Sequence, residues 1–199
     1  MHARHFALRV TGFTIAVLAL ALTGSSRALA SGPDQEVFRH QHTSAAKDSG
    51  ETLVAVVRAA TERFKNVEVA KAEGYTLQFG CVSGPDAGAM GLHYVNGALV
   101  GDGVIDATRP EIVIYEPTPN GGVNLIGADY LVLADAWNAT HSTAPELNGQ
   151  LFHLFEAPNR FGLPSFYTLH VWAWKENPTG TFVNWHAKIS CDAFSGATQ

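Results

Sequence analysis

From Gly74 onward, the apolar residues of this chain recur at the two-residue spacing of β-strands, and turn-forming residues interrupt them at short intervals. Segment 118–122, Thr-Pro-Asn-Gly-Gly, has the length and composition that join antiparallel strands in hairpins. No second long helical pattern follows that would cross over between parallel strands. The sequence therefore predicts an α+β fold with a mainly antiparallel, curved or barrel-like β-sheet. The predicted strands are 75–82, 90–96, 111–116, 123–133, 150–156, 165–175 and 181–190.

One amphipathic helix is predicted before the sheet, at about residues 49–72, and its apolar stripe is expected to pack on the sheet. Asp48, followed three residues later by Glu51, resembles a capping box, and Gly74 stands where a left-handed residue ends a helix. The apolar stripe consists of Leu53, Val57, Ala60, Phe64 and Val67.

The first thirty residues have the three parts of an export signal. Arg4 and Arg9 precede an apolar run at 10–22, and Ala28 and Ala30 supply the small residues of a cleavage site. We expect residues 1–30 to be removed, residues 31–47 to form a flexible lead-in, and residues 48–199 to fold as a single domain. The apolar run is too short for a comfortable membrane span, so the mature protein is predicted to be periplasmic or secreted, with no stable membrane span after cleavage.

The charge of the mature chain argues against nucleic acid as a partner. Residues 31–199 keep all 18 acidic side chains and lose three of the 13 basic ones, so their formal net charge is −8. An acidic protein without a strong basic patch releases few counterions from a polyanion.

The mature chain contains two cysteines, Cys81 and Cys191. In an oxidising compartment such a pair is most simply a disulfide. Closing so long a loop would raise the free energy of the unfolded chain by about 4–5 kcal/mol. A redox-active pair is the alternative, but it usually has closely spaced cysteines.

Residues 165–175 suggest a ligand pocket. Alternation along a strand puts Phe166, Thr168, His170, Trp172 and Trp174 on one face and leaves an aliphatic face opposite. A histidine among large aromatic side chains is typical of a cavity that binds a small apolar ligand, and equally of a second small core. The predicted ligand-binding residues are His93, Tyr94, Glu116, Phe166, His170, Trp172 and Trp174.

Three histidines in three predicted strands, His93, His170 and His186, would form a metal site if their strands converge. Together with Glu116 they would suit zinc, copper or non-haem iron. No local ligand spacing such as His-Glu-x-x-His supports the site, and a histidine in a strand is more often a hydrogen-bonded core or surface residue. Both interpretations remain open.

Eight short motifs follow one another along the chain: Gly74-Tyr75, Met90-Gly91-Leu92-His93-Tyr94, Arg109-Pro110-Glu111, Tyr115-Glu116-Pro117, Leu125-Ile126-Gly127-Ala128-Asp129-Tyr130, Leu169-His170-Val171-Trp172, Asn177-Pro178-Thr179-Gly180 and Ser190-Cys191. Their order resembles a family of small exported bacterial proteins of uncharacterised function. The resemblance covers about residues 50–192 and includes His93, Glu116 and His170, whereas His186 stands where that family is expected to have asparagine. It implies an exported protein of this fold and brings no known reaction.

Three functions are compatible with the sequence. The first is an exported module that binds a small apolar ligand or a transition metal in the aromatic and histidine-lined pocket. The second is an enzyme, a hydrolase, lyase or oxygenase, that uses His170 or His93 as base or ligand with Glu116 as partner. The third is a structural or interaction module in which the histidines only satisfy buried partners.

Overall fold

The structure, a computed structural model, describes residues 48–84 and 86–199. The predicted signal peptide (1–30) and the predicted lead-in (31–47) lie outside the described residues. Within them, helices come first and a curled six-stranded antiparallel sheet follows. The predicted fold class is therefore confirmed.

The helical region before the sheet is not the single helix that the periodicity predicts. Helix α1 covers 48–61, a 3₁₀ turn covers Glu62–Lys65, and helix α2 covers Val67–Ala72. Asn66 interrupts the run because its backbone is extended and its side chain accepts a hydrogen bond from the Glu68 amide, which makes it the N-cap of α2. Gly74 ends the region with φ of +95°, as predicted.

The main sheet has the strand order β1-β2-β3-β4-β8-β7, and every neighbouring pair is antiparallel. Two very short strands, β5 and β6, pair separately, and two short helices, α3 and α4, follow β2 and β4. The bounds are β1 Tyr75–Gly84, β2 Gly88–Asn96, α3 Gly97–Asp102, β3 Ile112–Pro117, β4 Val123–Leu133, α4 Ala134–Asn138, β5 Glu146–Leu147, β6 Gln150–Leu151, β7 His153–Phe155 and β8 Phe166–Val171.

The last three predicted strands need correction. The strand predicted at 150–156 is divided between β6 and β7, and the one predicted at 165–175 ends at Val171. The strand predicted at 181–190 is wrong: this segment consists of turns with one isolated bridge. Its carbonyls accept hydrogen bonds from the Trp172 indole and the Asn177 amide, which replace the pairing that a strand would need.

Neighbouring strands approach each other closely at two glycines of the curled sheet. A Cβ atom at Gly91 would lie 2.6 Å from the Tyr115 carbonyl oxygen, and one at Gly127 would lie 2.6 Å from the Val171 carbonyl oxygen. Gly91 also has φ of +88°, a conformation that favours glycine. A side chain at either position would collide with the backbone of the neighbouring strand, so the close approach requires glycine.

Helix α1 packs on the aliphatic face of β8, as the alternation predicts. Leu53 and Val57 lie in one buried cluster with Tyr130, Leu169 and Val171. A second cluster includes Phe64, Tyr94, Tyr115 and Trp172, and the Tyr115 hydroxyl donates to the Phe64 carbonyl oxygen at 2.7 Å. The helical region is thus fixed to the sheet by apolar burial and by a buried hydrogen bond.

Cys81 and Cys191 form the predicted disulfide, with Cα atoms 5.8 Å apart and 110 residues between them in sequence. The C-terminus runs beside β1 there, and the Cys81 amide donates to the Ala197 carbonyl oxygen. The disulfide suggests an oxidising, exported environment. Among the described residues, no helix has both the length and the apolar character needed to cross a membrane.

Candidate functional site

Three buried ionisable side chains meet on the concave side of the sheet: His93 on β2, Asp129 on β4 and His170 on β8. Their potential ligand atoms all lie within 4.8 Å of one another. The two Nε2 atoms are 3.4 Å apart, and Nδ1 of His170 lies 3.5 Å from Oδ1 of Asp129. We call these three residues the buried triad.

The curl of the sheet is what creates the triad. Strands β2 and β8 are separated by β3 and β4, so in a flat sheet their backbones would be about 14 Å apart. Asp129 and His170 are direct partners in the β4–β8 register, but His93 reaches them only across the hollow of the half-barrel.

The backbone fixes the tautomer of His93. Its Nδ1 lies 3.3 Å from the Gly91 carbonyl oxygen, and a carbonyl oxygen only accepts hydrogen bonds, so Nδ1 must carry the proton. In the neutral ring Nε2 is then unprotonated, and its lone pair points at Nε2 of His170. A histidine held in this way is oriented as metal-ligating histidines are.

With Asp129 ionised, each neutral tautomer of the His170 ring leaves one unfavourable contact within the triad. If Nε2 carries the proton, it donates to His93, but the Nδ1 lone pair then faces the carboxylate of Asp129. If Nδ1 carries the proton, it faces the carboxylate favourably, but two Nε2 lone pairs confront each other at 3.4 Å. An added proton or a bound cation removes the conflict in either case. In agreement, Nδ1 of His170 is a buried atom without a well-formed hydrogen bond to any residue within the described ranges.

Burial determines the protonation states of the triad. The pKa of His93 falls to about 4, chiefly through burial and then through the neighbouring His170 ring. The pKa of His170 falls to about 3, again through burial first and then through His153, against the opposing effect of a hydrogen bond with Asn184. Burial raises the pKa of Asp129 to about 6, against the opposing effects of His93 and of the hydrogen bond from Thr168. At neutral pH the imidazoles are neutral and the carboxylate is ionised, the forms in which these groups bind metal ions.

Asp129 is also positioned by neighbours on β8. The Thr168 hydroxyl donates to its Oδ1 at 2.5 Å, and the Leu169 amide gives a further hydrogen bond. Thr168 is itself buried. These bonds hold the carboxylate toward the two rings, as the outer partners of ligating carboxylates do.

A small cavity of about 30 Å³ adjoins the triad. This is room for a water molecule or a metal ion, and not for a larger molecule in the present arrangement. Its remaining lining is almost entirely apolar, with Thr168 as the exception. The lining residues other than the triad are Phe79, Met90, Ile112, Leu131, Phe155, Phe161, Leu163, Phe166 and Thr168.

The predicted aromatic residues divide between this cavity and the rest of the fold. Phe166 lines the cavity, and the buried Trp172 ring contacts His170 at a centroid distance of 5.7 Å. Tyr94 packs on Tyr115 at 5.0 Å in the core. Trp174 packs toward the helical region, where its indole donates to Thr61 and Lys65 lies over its ring.

Glu116 and His186, the other two predicted metal ligands, lie outside the triad. Both carboxylate oxygens of Glu116 lie 2.7 Å from the amine of Lys175. His186 is fully buried, stacks edge-on against Trp172, and accepts a hydrogen bond from the Lys188 amide at Nδ1. Burial, followed by the nearby Lys175, lowers the pKa of His186.

Sequence reasoning missed Asp129 as a site residue. The available signal was a carboxylate in the middle of β4, an 11-residue strand whose other central residues are apolar, glycine or tyrosine. An acidic side chain at such a position is almost never fully buried unless it is partnered.

Glu111 is a second buried carboxyl group, and burial raises its pKa to about 8.

Comparisons with known proteins add no relative: no protein-family model, curated protein or solved structure matches the chain. The resemblance to small exported bacterial proteins therefore stays a prediction.

Proposed function

We propose that this chain is an exported protein that binds a divalent transition-metal ion through His93, Asp129 and His170. The single observation that carries the proposal is the geometry of the two imidazoles. Two nitrogens bound to one tetrahedral ion at about 2.0–2.1 Å lie about 3.3 Å apart, and the Nε2 atoms of His93 and His170 are 3.4 Å apart.

A cation also resolves the proton conflict within the triad. Bound between the two Nε2 lone pairs, it leaves Nδ1 of His170 protonated toward Asp129. Oδ1 of Asp129 then accepts from His170 and Thr168, and the other carboxylate oxygen is left to serve as the third ligand and to balance part of the ionic charge. The Gly91 carbonyl oxygen keeps its hydrogen bond from His93, and bonds to the ion replace the contact between the two Nε2 atoms.

The donor set favours zinc, copper or iron over calcium or magnesium. Two imidazole nitrogens and one carboxylate suit borderline transition metals, whereas calcium and magnesium are bound mainly by oxygen atoms. Three protein ligands would leave at least one coordination position open toward the cavity.

The proposed location is the periplasm or the extracellular space, after cleavage following Ala30. The basic start, apolar run and small residues of segment 1–30 support an export signal. The Cys81–Cys191 disulfide supports an oxidising compartment.

The experiment is thermal unfolding of the mature protein in chelator and then with excess zinc, copper or iron(II). At a free metal concentration 100-fold above Kd, we expect a stabilisation of about 2.7 kcal/mol, which raises Tm by roughly 5–10 °C. His93→Asn should abolish the shift and Asp129→Asn should reduce it, because each removes one ligand while keeping the approximate side-chain shape. His141→Asn is the matched control, since it removes an exposed imidazole that stacks on Trp137.

The pH dependence of the shift is a second readout. Because burial raises the pKa of Asp129 to about 6, protons should compete with the metal below that pH and the Tm shift should shrink. An identical shift in wild type and His93→Asn, or none in wild type with any of the three metals, would remove the proposal.

A further inference from the structure

Four phenyl rings cover the cavity beside the buried triad: Phe79, Phe155, Phe161 and Phe166. We call them the phenyl wall. Phe155 stacks on Phe166 at a centroid distance of 5.2 Å, and Phe161 lies 5.4 Å from Phe79 and 6.2 Å from Phe166. Phe79, Phe155 and Phe161 remain partly exposed, so the wall lies between the triad and solvent.

Backbone strain is concentrated at one member of this wall. Phe79 has φ of +64°, which is unusual for a bulky residue, and it lies in the bulge that shifts the β1–β2 register between Gln78 and Cys81. The next residue is Gly80, where a Cβ atom would collide with the Ala197 carbonyl oxygen. Strain of this kind persists where the surrounding structure enforces it and is concentrated at functional sites. Here it directs a ring onto the cavity.

The charge of the site defines the ligand that would fit it. A divalent ion with one carboxylate and two neutral imidazoles has a residual charge of +1. Among the described residues that line the cavity, only His93, Asp129 and His170 are ionisable. The hydroxyl of Thr168 is already engaged with Asp129. A ligand with one anionic oxygen neutralises the ion, and the rest of it meets only apolar walls.

We propose that the metal-loaded site binds a small aromatic monoanion, with its anionic oxygen on the metal and its ring against the phenyl wall. This inference rests on the proposed metal-binding function. The cavity of about 30 Å³ is too small for a ring, so Phe161 has to move aside on binding. Phe161 lies between β7 and β8, in a segment without helix or strand, and is only half-buried.

The test is calorimetric titration of the zinc-loaded protein with benzoate. Acetate supplies the same carboxylate without a ring, and benzyl alcohol supplies the ring without a charge. We expect benzoate to bind at least about tenfold more tightly than either, because only benzoate uses both the metal and the wall. In chelator, without zinc, benzoate should bind at least about tenfold more weakly.

A Phe79→Asn variant separates a binding role from a structural one. Asparagine tolerates positive φ, so the variant should keep the wild-type Tm, lose about tenfold in benzoate affinity and bind acetate unchanged. Equal affinities for benzoate and acetate in zinc-loaded wild type would overturn the inference and leave the metal site standing. So would a Phe79→Asn protein with lowered Tm and unchanged benzoate affinity. Failure to take up zinc, copper or iron(II) would remove both proposals.

Discussion

The triad makes a specific prediction for acid stability. In the folded state burial lowers the pKa of His93 to about 4 and that of His170 to about 3, from ordinary values of 6.5. Below pH 6.5 both histidines therefore bind protons in the unfolded chain but stay neutral in the folded chain. The free energy of unfolding that they contribute above pH 6.5 is lost as the pH falls toward 4. Each ring accounts for a loss of about 3 kcal/mol between pH 7 and pH 4.

Asp129 acts in the opposite direction over the same range. Burial raises its folded pKa from 3.8 to about 6, so its protonation as the pH falls stabilises the folded state by about 2 kcal/mol. The net expectation for the triad is a decrease of about 4 kcal/mol in the free energy of unfolding between pH 7 and pH 4.

Urea unfolding in chelator at pH 7, 6, 5 and 4 measures this decrease. His93→Asn is the informative variant, because the asparagine amide takes the place of Nδ1 and can still donate to the Gly91 carbonyl oxygen. Its decrease should be smaller than that of wild type by about 3 kcal/mol, whereas His141→Asn should follow wild type. Because burial raises the pKa of Glu111 to about 8, that carboxyl group opposes the triad over this pH range, so the comparison with the variant carries the test. The reasoning is refuted if His93→Asn loses as much stability as wild type.

Three further predictions concern the scaffold. Tyr115→Phe removes the hydroxyl that donates to the Phe64 carbonyl oxygen and should lower the free energy of unfolding by about 1–3 kcal/mol in urea; an unchanged value would contradict this anchor. Replacing both Cys81 and Cys191 by serine should cost about 4–5 kcal/mol in the same assay, and a loss under about 1 kcal/mol would show that the disulfide constrains little. Because burial raises the pKa of Glu111 to about 8, ionisation of this carboxyl group should lower the free energy of unfolding of wild type as the pH rises from 5 to 9. Glu111→Gln should lose about 2–4 kcal/mol less over this range. Parallel curves of unfolding free energy against pH for the two proteins would contradict the prediction.

Local periodicity predicts the parts of the fold that depend on neighbours in sequence. Alternation along β8 places His170 and Thr168 on the cavity face and Leu169 on the helix-packed face, and the structure has this arrangement. The same alternation extends the predicted strand to residue 175, but pairing ends at Val171. Alternation specifies which face a side chain would take and not whether a partner strand is present.

The meeting of His93 with His170 could not be derived from the sequence in the same way. It depends on how far the sheet curls across β3 and β4, and the glycines with close backbone contacts, Gly91 and Gly127, lie in β2 and β4. Glycines in strands indicate a bulge or a close approach but not its direction. Asp129 was missed for a related reason: it joins the triad by pairing opposite His170 and belongs to no local ligand motif.

The helix break at Asn66 and the loss of a strand at 181–190 have a common cause. In both places side chains compete with regular backbone pairing: Asn66 caps α2, and Trp172 and Asn177 occupy carbonyl groups that a strand would use. Side-chain hydrogen bonds of this kind depend on tertiary positions or on single residues, so an apolar pattern does not report them.

Titration of the mature protein with cobalt(II), followed by visible absorption, tests the central claim most directly. Cobalt(II) takes the same kinds of ligand as zinc, so capture by His93, Asp129 and His170 should change its absorption and reach a plateau at one equivalent. Asp129→Asn should weaken the spectrum, and the double variant His93→Asn/His170→Asn should leave that of the aqueous ion. A wild-type titration without a plateau, or a double variant with the wild-type spectrum, would contradict the assignment.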